Sequence, residues 1–339
     1  MRKLLVTMLA LAGVSSAMAA ETTVPMTKIE EARVDRWDPA MDAIVPEDWR
    51  IEKLAEGFGW AEGPIWISKG KYLLFTDVPG NKMWKWSAKG GLEKFLDPSG
   101  AANPDPAIWR EAGANGLAVL DSKHILLADT GSRMIQKLDL KTKKKTPVAT
   151  LFDGKKFSSP NDVVKTTSGV IFFSDPPYGF KKFDEAPEKE IAFNGVYRMS
   201  KDGKVTAIET ELHRPNGVAL SPDESTLYVA QPEPKKPVIM AYSLDKSGNV
   251  TGKKVFHDFS DLMSRESPGL PDGLAVAKDG TLFATGPGGV IVLTKDGKRL
   301  GRISTGKGTA NCKFGEDGRT LFLTSHNMLA RIRLNIAGY

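Results

Sequence analysis

A short peptide recurs along the chain, and each copy places an oxygen-bearing side chain just before an apolar, strand-like run. The six copies are Glu62-Gly63-Pro64, Ala114-Asn115-Gly116, Pro160-Asn161-Asp162, Pro215-Asn216-Gly217, Pro271-Asp272-Gly273 and Ala310-Asn311-Cys312. They recur about once per fifty residues, which is a spacing typical of the blades of a β-propeller. Because equivalent loops of successive blades meet around one axis, residues far apart in the sequence are expected to face a common pocket.

Each copy opens a unit that has the pattern of a β-hairpin. In the unit of Asn216, residues 218–220 lead through the turn at 221–224 into a second apolar run at 226–230. Capped segments with a 3.6-residue period are scarce, so we expect little helix. Six hairpin-centred units predict an all-β protein, a six-bladed β-propeller. Two packed β-sandwiches are the alternative, which the regular polar residue at each unit start disfavours.

The ends of the chain suggest how such a ring closes. The last unit contains three evident strands, the third at residues 329–334, and a further strand-like segment at 50–54 precedes the first unit. An open ring would leave exposed strand edges. We therefore predict that residues 50–54 form the outer strand of the last blade. The predicted organisation is a signal peptide over residues 1–20, an N-terminal arm over 21–49 and the propeller over 50–339.

The first twenty residues have the pattern of a secretory leader. Arg2 and Lys3 precede the apolar stretch 4–14, and Ala17-Met18-Ala19 fits the small-residue rule for signal cleavage. A membrane anchor is the alternative, but the stretch is too short to span a bilayer. We expect a cleavable signal, a periplasmic or secreted protein, and no membrane attachment after cleavage.

Charge and cysteine content exclude two classes of function. The formal net charge is +6, and the lysines that cluster at 141–145 have no interleaved aromatic residues, so we expect no nucleic-acid partner. The single cysteine, Cys312, excludes an internal disulfide and a cysteine-rich zinc site.

The polar residues at the unit starts form a candidate metal centre. Glu62 and Asp272 would supply two carboxylates, and Asn161 and Asn216 two amide oxygens, which suits a hard cation such as Ca²⁺. Mg²⁺ or Mn²⁺ could replace it, and Zn²⁺ is less natural without imidazole or thiolate ligands. Alternatively, the Asn-Gly and Asp-Gly pairs serve only as turns. His326 could contact a substrate or relay a proton, or form a hydrogen bond between blades.

These motifs resemble the SMP-30/gluconolactonase/regucalcin-like (LRE) family over residues 50–335. The resemblance rests on the Glu-Gly-Pro opening at Glu62, on Pro160-Asn161-Asp162, on Arg214-Pro215-Asn216-Gly217 and on Pro271-Asp272-Gly273. Segments 174–179 and 286–290 resemble its bacterial gluconolactonase branch. The resemblance implies a six-bladed propeller with one divalent cation, usually calcium, in the central tunnel.

The resemblance also implies roles for individual residues. Glu62, Asn161, Asn216 and Asp272 match the metal ligands, and Asp272 also matches the candidate general base. Asn115 matches a position near the substrate. Members with sugar-lactone activity often have an arginine beside the asparagine of the second motif, where this sequence has Ser158-Ser159-Pro160.

We therefore expect a metal-dependent hydrolase that opens a sugar lactone. The cation would polarise the lactone carbonyl, Asp272 would activate water, and Asn115, His326 and Tyr178 would contact the substrate. One alternative is a phosphotriesterase-like hydrolase that uses the same metal site. Another is a secreted calcium-binding propeller without enzymatic activity, and a more remote one is a quinone-dependent sugar dehydrogenase.

Overall fold

The computed structural model describes residues 27–339, which form six sheets of four or five strands, a separate two-stranded hairpin and three short 3-10 helices. The signal peptide and the start of the arm, predicted within residues 1–26, lie outside the described residues. The strands are β1 (Thr27–Lys28), β2 (Arg33–Arg36), β3 (Ile51–Glu56), β4 (Ala61–Ile67), β5 (Tyr72–Asp77), β6 (Lys82–Ser87), β7 (Gly91–Leu96), β8 (Ala114–Val119), β9 (His124–Asp129), β10 (Met134–Asp139), β11 (Lys145–Ala149), β12 (Leu151–Phe152), β13 (Lys155–Lys156), β14 (Val163–Lys165), β15 (Ile171–Asp175), β16 (Gly195–Met199), β17 (Val205–Glu209), β18 (Val218–Leu220), β19 (Thr226–Glu233), β20 (Lys236–Leu244), β21 (Val250–Asp258), β22 (Leu274–Val276), β23 (Leu282–Gly286), β24 (Gly289–Leu293), β25 (Arg299–Ser304), β26 (Thr309–Gly315), β27 (Thr320–Ser325) and β28 (Met328–Arg333). The 3-10 helices cover Pro39–Ala43, Phe183–Glu185 and Ser260–Leu262.

The six sheets are the blades of a closed ring. The first five blades are β4–β7, β8–β11, β14–β17, β18–β21 and β22–β25, and the sixth combines β26–β28 with β3. The first strand of each blade lies innermost. Each inner strand contacts the next one around the ring: β4 contacts β8, β8 contacts β14, β14 contacts β18, β18 contacts β22, β22 contacts β26, and β26 contacts β4. This circle of contacts confirms the all-β, six-bladed β-propeller predicted from the repeats.

The core lies between neighbouring blades. In β15, Phe173 packs in a cluster with Leu126 of the second blade, whereas Phe172 packs in a cluster with Leu227 of the fourth. Successive side chains of a strand point to opposite faces, so both faces of a blade are covered by its neighbours. The strands therefore appear in the sequence as continuous apolar runs, and each blade is stable only within the ring.

The last blade closes the ring as predicted. Strand β3 pairs antiparallel with β28, and Ile51 lies opposite Ile332. The Arg331 Nε donates to Glu52 Oε2 at 2.8 Å and adds an ion pair between the two strands. The outer strand of the sixth blade thus comes from the opposite end of the chain to its three inner strands.

The arm has more regular structure than its sequence indicated. Strand β1 pairs with β3 and strand β2 with β25, so the arm adds a fifth strand to the sixth and fifth blades. Met41 and Val45, farther along the arm, are fully buried against the same two blades. Both short strands are polar and therefore lack the apolar pattern of a strand. They cover two sheet edges that would otherwise be exposed.

Among residues 27–339, none of the helices has the length and apolar character that a membrane span requires.

Replacing the buried Ile51 by alanine tests the closing strand. The side chain is fully buried in β3, so Ile51→Ala should lower the free energy of unfolding by about 2–5 kcal/mol. Urea denaturation followed by circular dichroism measures this change.

The matched control is Leu151→Ala, which removes an equal amount of hydrocarbon from a side chain that is 46% exposed. It should cost less than about 1 kcal/mol. Similar losses in both variants would mean that β3 is not part of the stabilising core.

Candidate active site at the hub of the propeller

The inner strands begin around one end of the central channel, and a pocket of about 690 Å³ opens there. All seven residues predicted to hold a metal or a substrate line this pocket: Glu62, Asn115, Asn161, Tyr178, Asn216, Asp272 and His326. Its wall is completed by residues that the sequence did not single out, among them Trp60, Arg110, Glu111, Pro232 and Leu270. The structure thus brings the predicted set together, while the role of each residue stays a prediction.

Close backbone contact between neighbouring blades positions the ring of polar residues. The Gly273 N–H donates to the Ala310 carbonyl at 2.7 Å, and a Cβ added to Gly217 would overlap the carbonyl oxygen of Asp272. Neither glycine has a positive φ. These glycines are therefore required by the lack of space at the hub, and not by a left-handed turn.

Glu62 is held in place by two hydrogen bonds. Its Oε2 accepts from the Gly63 N–H at 3.0 Å and from Asn311 Nδ2 at 3.2 Å. Burial raises the pKa of Glu62 to about 7, these two bonds oppose the rise, and the Asp162 and Glu111 carboxylates add to it. Asn311 therefore positions Glu62 and, unlike the other five ring residues, does not line the pocket.

Asp272 has a buried carboxylate oxygen whose hydrogen-bonding capacity is unused. Its Oδ1 has no hydrogen-bond partner within residues 27–339. Burial raises the pKa of Asp272 well above its usual value, and the carboxylates of Glu62, Asp162 and Glu111 raise it further. A buried carboxylate oxygen without a partner is costly, and a nearby positive charge would offset this cost.

The two amides complete a donor set suited to a hard cation. Asn161 and Asn216 are buried, and their backbone N–H groups donate to Ser174 O at 3.0 Å and to Ala230 O at 2.8 Å. No group of three or more His, Cys, Asp or Glu side chains suited to a metal occurs within the described chain. A cation at the hub would therefore rely on the amide oxygens together with the two carboxylates.

A third buried carboxylate, Asp162, was not predicted as part of the site. It accepts from its neighbour Val163 N at 2.8 Å and from Val218 N of the next blade at 2.9 Å. Burial raises its pKa, while these bonds and Lys313 oppose the rise. Asp162 thus connects two blades beneath the pocket and adds to the negative charge around the hub.

Two long loops, residues 97–113 and 176–194, are joined over one side of the pocket. Trp109 and Phe180 form a β-bridge, with ring centroids 5.1 Å apart, and the Arg110 N–H donates to Gly179 O at 2.8 Å. Phe180 is fully buried and anchors the joint, whereas Tyr178 faces the pocket. We call these two segments the joined loops.

The joined loops bring Arg110 and Glu111 to the pocket, and sequence reasoning missed both. They lie outside the repeated peptides, so the period gave no signal for them. Ser159 lies near Asn161, where some members of the family have an arginine. Its side chain is buried, and its hydroxyl accepts from Gly179 N at 3.0 Å. The arginine of the pocket therefore comes from another loop.

His326 lies at the rim of the pocket and is exposed to solvent. Its ring packs edge-on against Trp60 of the first blade with centroids 5.6 Å apart, and its Nδ1 lies 3.3 Å from Asn327 Oδ1. The side-chain contact with the first blade is thus aromatic, and the His326 backbone carbonyl accepts from Ala61 N of that blade at 2.8 Å. Its Nε2 has no hydrogen-bond partner among the described residues.

Comparison with known proteins places this geometry in a family. The family profile described as "SMP-30/Gluconolactonase/LRE-like region" matches residues 60–327. A gluconolactonase from Zymomonas mobilis is 42% identical over 95% of this chain and 91% of its own length. A pentonolactonase from Haloferax volcanii is 25% identical over 78% of this chain and 80% of its own.

Solved structures have the same architecture. A gluconolactonase from Xanthomonas campestris superposes with a TM-score of 0.78 at 28% identity and covers 93% of this chain and 99% of its own. A calcium-binding regucalcin from Agrobacterium tumefaciens superposes with a TM-score of 0.67 at 20% identity, covering 85% and 94%. The second likeness shows the fold alone.

Enlarging the hub glycine tests the close approach of the blades. Gly217→Ala should lower the free energy of unfolding by about 3 kcal/mol, because the new methyl group would overlap the Asp272 carbonyl. Chemical denaturation checks the value. In Gly252→Ala, the control, the nearest atom to the new methyl is 3.8 Å away, and the change should be under about 1 kcal/mol. Equal tolerance of the two substitutions would contradict the tight hub.

Proposed function

The chain belongs to the SMP-30/gluconolactonase/LRE-like family, and on that premise we propose that it is a metal-dependent lactonase that opens a sugar lactone. The observation that carries the proposal is the convergence of Glu62, Asn161, Asn216 and Asp272 on one pocket, with a buried Asp272 oxygen left unpaired. The gluconolactonases of Zymomonas mobilis and Xanthomonas campestris support this reaction class, since the similarity to each covers most of both chains.

The residues of the hub fit a divalent cation, for which we propose Ca²⁺. Two carboxylates and two amide oxygens suit a hard cation, and its charge would offset the burial of Glu62 and Asp272. Ca²⁺ accepts carboxylate, amide and water oxygens in a flexible shell, which such a set of ligands can supply. When bound, the cation would polarise the lactone carbonyl as a Lewis acid.

The chain's own residues account for the rest of the reaction. Asp272 accepts a proton from the attacking water and returns it to the ring oxygen as the acyl C–O bond breaks. Asn115, Tyr178 and His326 line the pocket around this carboxylate and hold the lactone through hydrogen bonds. Asn311 keeps Glu62 in its orientation.

We also propose export to the periplasm or the exterior. The support is the leader-like pattern of residues 1–20, with a basic start, an apolar stretch and an Ala-Met-Ala cleavage site. The hub pocket would then meet lactones formed outside the cytoplasm.

Removal of metal should abolish turnover. Exhaustive dialysis against EDTA is expected to lower the rate of acid release from glucono-1,5-lactone by at least about a hundredfold, and Ca²⁺ should restore it. A pH-indicator assay with the spontaneous rate subtracted gives the measurement, and elemental analysis confirms the metal content. Full activity in metal-free protein would overturn the metal-dependent mechanism. Turnover of paraoxon but not of any lactone, or calcium binding without turnover, would support the alternative functions.

Asp272→Asn should separate proton transfer from binding. Loss of the base is expected to lower kcat by about 10²–10⁴-fold. Calorimetry with Ca²⁺ reports whether the cation site survives. Asp279→Asn is the control, since Asp279 lies in a surface turn of the same blade and only accepts from Thr281 N. A kcat for Asp272→Asn equal to that of the control would remove Asp272 as the base.

A further inference from the structure

A second cavity opens at the other end of the central channel. The hub pocket lies where the inner strands begin, whereas this cavity of about 400 Å³ is lined by residues near the points where they end. Each of the six inner strands contributes to its wall, through Ile65, Val119, Lys165, Leu220, Val276 and Gly315. We call this space the lower cavity. The mechanism above uses none of the residues that line it.

The segment that follows β28 forms one wall of the lower cavity. The Tyr339 N–H donates to Val276 O of the fifth blade at 2.9 Å, and the Gly338 N–H donates to Gly318 O of the sixth blade at 2.8 Å. A Cβ on Gly338 would lie 2.2 Å from Phe314 Cγ, so this segment packs tightly against the sixth blade. The lower cavity is therefore a recess with a fixed wall, and not only the open end of a channel.

The lining of the lower cavity is predominantly apolar and continues onto the surface. Trp66, Val164 and Phe314 are half-buried within it. Five large apolar side chains are exposed among the described residues, and two of them line this cavity: Val119, which is 45% exposed, and Tyr339, which is 54% exposed. Exposed apolar side chains that adjoin a recess are typical of a binding site.

Lys313 brings a positive charge without a partner into this apolar lining. It lies in the inner strand β26 and is half-buried. Its Nζ has no hydrogen bond or ion pair within residues 27–339. The other charged groups of the cavity are engaged, since Lys165 Nζ donates to Thr166 O at 3.0 Å and Glu316 Oε1 lies 2.6 Å from Arg331 Nη1. Lys313 is therefore the charged group that is free to bind a ligand here.

A purely electrostatic role leaves the hydrogen-bonding capacity of Lys313 unused. Its charge acts on Asp162 of the third blade and opposes the rise in the pKa of that carboxyl. This effect offsets part of the cost of burying Asp162, but it gives the three N–H donors of the ammonium group no acceptor. A half-buried ammonium group that has lost part of its hydration is stabilised by an anionic acceptor.

We propose that the lower cavity is a second binding site, which takes a small carboxylate with an apolar body. The carboxylate accepts hydrogen bonds from Lys313 Nζ, and the apolar body packs against Trp66, Phe314 and Tyr339. A polyhydroxylated acid, such as the product of the proposed reaction at the hub, binds less well because its hydroxyl groups find no partners on these side chains.

The test measures binding of 3-phenylpropanoate to the full-length protein in the presence of calcium, by calorimetry. The wild type should bind this carboxylate saturably, and at least about tenfold more tightly than the neutral 3-phenylpropanamide or D-gluconate. Lys313→Met should abolish the preference for the carboxylate over the amide, because it removes the ammonium group and keeps a side chain of similar length. Lys313→Arg retains the charge and should bind the carboxylate within about threefold of the wild type.

Lys278→Met is the matched control, because Lys278 is an exposed lysine at the same end of the propeller that does not line the lower cavity. It should leave the affinity for 3-phenylpropanoate unchanged. Absence of saturable binding by the wild type, or equal affinities in Lys313→Met and Lys278→Met, would overturn the inference. Equal losses of binding in Lys313→Met and Lys313→Arg, with a lower Tm in both, would show a role in folding alone and would also overturn it.

Lactone hydrolysis in the presence of the carboxylate shows at which end of the channel it binds. From the lower cavity, 3-phenylpropanoate should not compete with glucono-1,5-lactone. Competitive inhibition that persists unchanged in Lys313→Met would place the carboxylate on the hub cation and contradict the inference. Calorimetry itself needs no turnover, so a failure of the proposed lactonase function would leave the binding result, and the inference drawn from it, intact.

Discussion

The packing of backbone against backbone at the hub is the constraint on which the site depends. Gly116 N donates to Asn161 O and Gly273 N to Ala310 O, each at 2.7 Å, so the inner strands are in contact where they begin. A glycine follows the polar residue in four of the six copies, and a Cβ at any of these four glycines would overlap the neighbouring blade. Five of the six polar side chains then line the pocket at the end of the channel, and the sixth, Asn311, donates to Glu62.

The convergence of several carboxylates at the hub costs electrostatic free energy, because each loses contact with water. Glu62 and Asp162 are buried and Asp272 is half-buried around one axis, and loss of solvent raises the pKa of each. Asp162 is satisfied by two backbone N–H groups, and Glu62 by one backbone and one amide group. Asp272 alone keeps an unpaired buried oxygen. An unpaired buried group of this kind is typical of binding and catalytic sites.

The hub residues could be predicted because they belong to the repeats, whereas pocket residues outside the repeats could not. Glu62, Asn161, Asn216 and Asp272 hold equivalent positions in their units, so rotational symmetry alone places them around one pocket. Asn311 holds the equivalent position in its own unit, so symmetry alone predicts that it lines the pocket. Its actual role, a hydrogen bond that positions Glu62, could not be predicted in this way.

The joined loops and the arm had no comparable signal. Arg110 and Glu111 reach the pocket because residues 97–113 pair with a loop of the next blade, and pairing between irregular segments leaves no period in a sequence. Strands β1 and β2 are polar, and they form because they pair with the edge strands β3 and β25. Both cases are tertiary contacts that determine local structure, in contrast to the inner strands, whose apolar runs identify them.

Electron density at the hub, in crystals grown with calcium, tests the proposed metal centre most directly. We expect one ion there, with oxygens of Glu62, Asn161, Asn216 and Asp272 at about 2.3–2.6 Å. An ion bound elsewhere in the chain, or a calcium-saturated protein whose hub holds no ion, would contradict it.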